Sequence, residues 1–107
     1  MGLKAVIVLA GSGGASLGGR TITGGGTLLS TDAFVYVNNT TAGPISLTLP
    51  PSPASNQFLV ITDVAGNAAT YHITVTGTVS GVTNPIIGAN YASIGLSYTG
   101  SAWVQVF

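Results

Sequence analysis

The chain has 107 residues, enough for one domain, and zero net charge carried by only four charged side chains, Lys4, Arg20, Asp32 and Asp63. Two basic residues exclude the electrostatic footprint of nucleic-acid binding and a polybasic membrane patch. The absence of cysteine excludes disulfides, a thiol nucleophile and a Cys-type zinc site.

The polar share is uncharged, with 14 Thr and 10 Ser against a mean hydropathy of +0.59. That composition folds, since disordered chains combine high net charge with few apolar residues. Sparse charge protects poorly against association, so much of the surface is expected to be covered by copies of the chain or by a neighbour.

In chain order, the first apolar run is "AVIVLA" at 5–10. It is too short to span a bilayer and falls short of a secretory apolar segment, so no membrane insertion is expected. Glycine-dense pieces follow, "AGSGGASLGGR" and "TITGGGT". Glycine loses the most backbone entropy on ordering. Residues 1–27 therefore read as an extended Gly-rich attachment arm that orders against a partner, and residues 28–107 as a β domain.

From Leu28 onward, period-two alternation dominates. "AFVYVN" sets Phe34 and Tyr36 against Val35 and Val37 and reads as a strand buried on both sides. "PISLTLP" points Ile45, Leu47 and Leu49 inward, Ser46 and Thr48 outward, and Pro50, Pro51 and Pro53 end it. "FLVIT" reads as a short central strand. "YHITVTG" turns Tyr71, Ile73 and Val75 inward, with His72, Thr74 and Thr76 outward. "YASIGLSY" repeats the alternation through Ala92, Ile94, Leu96 and Tyr98, and "AWVQVF" closes the series. Turn-forming clusters separate these runs, and no segment has helical periodicity. The expected fold is all-β, a small antiparallel sandwich or barrel-like domain.

Catalytic and ligand motifs fail on context. "VIVLAGSGGASLGG" with Asp32 downstream imitates a dinucleotide fingerprint. Ser16 stands where the third glycine belongs, and "RTITGGGT" cannot form the helix that receives the pyrophosphate. Asp32 and Asp63 are the only carboxylate side chains for a glycosidase pair or a Ser–His–Asp constellation, and Asp63 opens a turn, "DVAGN", that an aspartate commonly caps itself. His72 is the single histidine, so a metal site would need three copies converging on one axis. Asn38 and Asn39 in "NNTT" match glycosylation acceptors. Neither an enzyme nor a cofactor is expected.

The stretch from Thr31 to Trp103 resembles a module of tail-fibre, tail-spike and other virion surface proteins of tailed bacteriophages. The resemblance rests on "LTLP" (Leu47–Pro50), "D-x-x-G-N-A" (Asp63, Gly66, Asn67, Ala68), "ITV" (Ile73–Val75), the glycine step at Ile87–Ala89, "YASI" (Tyr91–Ile94) and "G-S-x-W-V" (Gly100–Val104). The acidic residue that the family often carries in its glycine–isoleucine turn is missing from "GVTNPIIG". The resemblance implies a β-structured, usually trimeric, non-enzymatic component on the capsid exterior or tail. It would contact other virion proteins through residues 1–27.

The last strand is the expected subunit interface. Trp103, Gln105 and Phe107 share one face of "AWVQVF", with Tyr98 across the preceding turn. The alternative is a glycan-binding adhesin that meets a host-surface glycan through Tyr71, Tyr91, Tyr98 or Trp103.

Overall fold

In a computed structural model of the protein, residues 18–107 are described. Among them the chain forms short β-strands and no helix. The first six strands are β1 (Gly19–Ile22), β2 (Gly26–Thr27), β3 (Phe34–Val37), β4 (Ile45–Thr48), β5 (Phe58–Asp63) and β6 (Ile73–Thr76). They alternate between two sheets. β1, β3 and β5 stack in parallel in the larger sheet, and β2, β4 and β6 stack in parallel in the smaller one. The chain thus winds as a short β-helix, each coil laying one strand on each sheet.

After β6 the direction reverses. β7 (Thr78–Val79) and β8 (Val82–Thr83) form a hairpin, and β9 (Ile86–Ile87) runs antiparallel to β6. β10 (Ser93–Tyr98) runs antiparallel to β5, and β11 (Trp103–Gln105) antiparallel to β10. β11 also meets β7 in parallel at Trp103 and Val79. The larger sheet has seven strands and the smaller four.

The expected antiparallel architecture is therefore corrected to a mixed one. Alternation of side chains is identical in parallel and antiparallel strands, so it carries no information about direction. A parallel neighbour needs a crossover of about a dozen residues or more, commonly a helix. Here each crossover is made by a strand of the facing sheet.

The two inner faces form one core. Val35, Val37, Leu59, Ile61, Ile94 and Leu96 of the larger sheet meet Ile45, Leu47, Ile73, Val75 and Ile87 of the smaller. The alternation in "ISLT" and "ITVT" is realised as expected, with Ile45, Leu47, Ile73 and Val75 buried. Leu47 is fully buried, and truncating such a side chain to alanine costs about 2–5 kcal/mol.

β3 departs from the two-sided burial expected of it. Val35 and Val37 are fully buried, Phe34 is half-buried and Tyr36 is exposed. Its second apolar side faces outward from the chain.

The first 17 residues of the expected arm lie outside the described residues. Its remaining part includes β1 and β2, so the sheets begin ahead of Leu28. Beside the strand pairing, two side-chain contacts help to hold this glycine-rich coil in place. The Tyr36 ring leans over Gly19, where an added Cβ would sit 3.1 Å from its Cε2. Arg20 reaches Asp32 with two hydrogen bonds.

Candidate functional site

The two aspartates are the carboxylate candidates of the sequence, and both are engaged. Asp63 closes β5 with its side chain fully buried. Its Oδ1 accepts the N–H groups of Ala65 and Gly66 at 3.1 and 3.0 Å. Its Oδ2 accepts those of Ala68 and Tyr91, both at 3.0 Å. Burial pushes this carboxyl up, and the four N–H donors outweigh burial and hold it below the usual carboxylate range.

The local sequence explains the cage. "DVAGNA" turns back on its own aspartate, and Gly66 adopts φ +75°, a left-handed conformation that glycine enters without steric cost. Tyr91 supplies the fourth donor from the turn before β10. Its ring covers Gly66 so closely that a Cβ there would lie 2.3 Å from the ring's Cζ. One carboxylate therefore ties the loop after β5 to the turn before β10.

Asp32 holds the opposite part of the larger sheet. Arg20 Nε donates to Oδ1 at 2.9 Å and Nη2 to Oδ2 at 2.7 Å, and the Leu29 N–H adds a bond to Oδ2 at 2.8 Å. Burial raises the Asp32 carboxyl, and the guanidinium with the Leu29 N–H more than offsets it, leaving it below its ordinary value. Gln57 clamps the same turn, donating to the Leu29 and Asp32 carbonyls at 3.0 and 2.9 Å. A carboxylate saturated with donors is a poor base and a poor nucleophile.

The structure separates the residues expected at the last strand. Trp103 is buried in the core and packs on half-buried Tyr98, ring centroids 5.2 Å apart and tilted 53°. Gln105 is exposed, and its backbone N–H donates to Ser80 Oγ at 2.8 Å. Phe107 leaves the strand and curls back, its carbonyl accepting the Gly95 N–H at 3.0 Å. Its ring lies over Gly95 on the outer side of the sheet, where an added Cβ would be 2.3 Å from Cε2. Trp103 and Phe107 thus occupy opposite faces, because the chain bends after Gln105 and alternation ends with the strand.

The other candidates fall as follows. His72 is exposed just ahead of β6, beside Gly88. Asn39 is buried, and its amide donates to the Gly43 carbonyl at 2.9 Å, so that acceptor motif is folded away. Of the four aromatic sugar platforms, Tyr71 and Tyr98 are half-buried, Trp103 is buried and Tyr91 is 69% exposed. Alternation did not single out Tyr91, whose backbone takes φ +62° in a turn. Such a φ is uncommon for a bulky residue.

No protein-family model matches the chain, and no curated protein sequence matches it.

Proposed function

We propose that this protein is a non-enzymatic structural component of a bacteriophage virion, displayed as a trimer on the capsid as a decoration or on the tail as a small fibre or spike. The observation that carries this reading is the cage around Asp63. The motif at the centre of the resemblance, "D-x-x-G-N-A", has its carboxylate wholly engaged in joining the coils to the returning strands. A family mark used for scaffolding fits a structural module. Residues 1–27 are proposed as the part that contacts other virion proteins, with β1 and β2 anchoring them in the first coil.

Labelled antibody against the protein should decorate intact virions at the capsid or tail, and light scattering after size exclusion should give about three times the chain mass. Deleting residues 1–17 should abolish incorporation into particles. Absence of the label from purified virions refutes the virion assignment.

A second reading, a glycan-binding adhesin, is favoured by Tyr91, whose exposed ring is braced on Gly66. Tyr91→Ala would then abolish binding to host-surface glycan while leaving the mass of the assembly unchanged.

A further inference from the structure

The two ends of the coil stack are finished differently. At one end the chain reverses, and β10 and β9 pair antiparallel with β5 and β6. A reversed strand ends a parallel winding, so this end is closed. At the other end, among the described residues, β1 and β2 each have a neighbour on one side only. Stacked coils need their terminal coil covered, because an open one exposes both strand edges and the end of the core.

The first coil shows both kinds of exposure. Val35, Val37, Leu47 and Val75 are fully buried at their inward positions, whereas Arg20 and Ile22, the inward residues of β1, are half-buried. Gly26 heads the inward row of Leu47 and Val75, and a Cβ added to it would meet nothing within 4 Å. The core therefore ends in open space beside β2.

The backbone is open there as well. The Leu28 N–H donates to the Thr48 carbonyl at 2.8 Å, and successive residues alternate sides, so the Thr27 N–H points away from β4. The Thr21 N–H likewise points away from β3, since the Gly18 and Ile22 carbonyls accept the N–H groups of Phe34 and Asn38.

We infer that the open edge of β2 is taken by the run "AVIVLA" at 5–10 of the same chain, as one more parallel strand. The inference concerns a single chain and stands apart from the virion reading. Three observations select this occupant. Strands β1 to β6 alternate strictly between the sheets, so a strand ahead of β1 belongs to the smaller sheet, beside β2. The run is uninterruptedly apolar and holds three β-branched residues in a row, Val6, Ile7 and Val8, a composition suited to a strand that fills the space over Gly26.

Register is the third. In the two complete turns from the smaller sheet to the larger, the residue aligned with Thr27 precedes the one aligned with Gly19 by seven positions (Thr27 to Phe34) and by twelve (Thr48 to Val60). Counting back from Gly19 by the same intervals gives residues 7–12, which overlap the run. The connection also reaches. Eight residues, 11–18, extend to about 26 Å, more than twice the roughly 10 Å between packed sheets.

Two measurements on the full chain test the pairing. Amide hydrogen exchange, resolved by residue and corrected for intrinsic rates, should show Thr27 protected several-fold over Thr21, because the run pairs with one sheet only. Equal protection at the two overturns the inference.

The second is a disulfide trap, which a cysteine-free chain allows. Thr27→Cys is combined with Val8→Cys or with Leu9→Cys; neighbours in a strand face opposite ways, so one of the two pairs should close. Adjacent strands about 4.8 Å apart lie within the Cα separation of about 4.4–6.8 Å that a disulfide accepts. That bond should form within one chain, several-fold faster than the same run cysteine bonds to Thr21→Cys. Equal rates overturn the inference, and a bond that joins two chains overturns the assignment of the run to its own chain. Should the cysteine variants fail to fold, the exchange measurement on the unmodified chain decides.

Discussion

Replacing Asp63 with asparagine changes few atoms and should cost much of the fold's stability. The carboxylate accepts four backbone N–H groups, two on each oxygen. An asparagine keeps one oxygen and turns an NH₂ toward the other pair, so two donors lose their acceptor and face a third donor. A fully buried orphaned donor costs about 1–3 kcal/mol. Only the Ala68 bond is fully buried and the other three are part-buried, so the pair falls toward the low end of about 2–6 kcal/mol. Against a domain stability of about 5–15 kcal/mol this is a large fraction. At roughly 4–8 °C per kcal/mol, thermal melts followed by circular dichroism at neutral pH should show a drop of about 10 °C or more.

The same residue gives a pH signature. Its folded-state affinity for a proton lies below that of an ordinary aspartate, because the four donors prevail over burial. Its contribution is therefore complete above the usual carboxylate value near about 3.9 and is lost as pH falls through the lower native value. Asp63→Asn should lose that part of the acid-induced decline, leaving the part due to Asp32. A variant melting within a degree or two of the parent would refute the reasoning that the cage is a stabilising centre.

Trp103→Ala should cost about 3–5 kcal/mol, read from the denaturant midpoint, and the parent should show blue-shifted emission that resists iodide quenching. Gly95→Val should expel the Phe107 ring and cost about 1–3 kcal/mol through overpacking. Combining it with Phe107→Ala should recover part of that loss, and strict additivity would mean the two do not touch. Truncation at Leu28 should melt below truncation at Gly18, since it removes β1, β2 and the guanidinium that pairs with buried Asp32. Equal melting temperatures would mean that the first coil adds nothing.

Much of the core was legible because alternation is a local signal. Ile45, Leu47, Ile73 and Val75 declare their inward side within a few residues. Strand direction is set by connections, and a crossover that contains a strand looks from sequence like two hairpins. The doubly apolar strand around Phe34 was legible as needing cover on both sides, yet only its inner side, Val35 and Val37, is fully buried. The central strand that starts at Phe58 is covered on both, with Val60 buried on the outer side. Asp63 reads as a turn former, but its fourth donor, the Tyr91 N–H, lies 28 residues away and leaves no local mark. The position of Phe107 was equally hidden, because it depends on a bend after Gln105 and on the missing side chain of Gly95.

The join between β5 and β10 has a consequence for how the chain emerges during synthesis. β5 gains its parallel neighbour β3 early, but its other edge is paired only by β10, whose Ser93 aligns with Thr62. Until some thirty further residues have been made, at roughly 5–20 residues per second, the apolar "FLVIT" strand presents an open edge. An edge of that composition is a template for pairing with another nascent chain. Slow translation or truncation between β6 and β10 would therefore favour aggregation out of proportion to the stability lost, and ribosomes paused there would be the point at which a chaperone is needed.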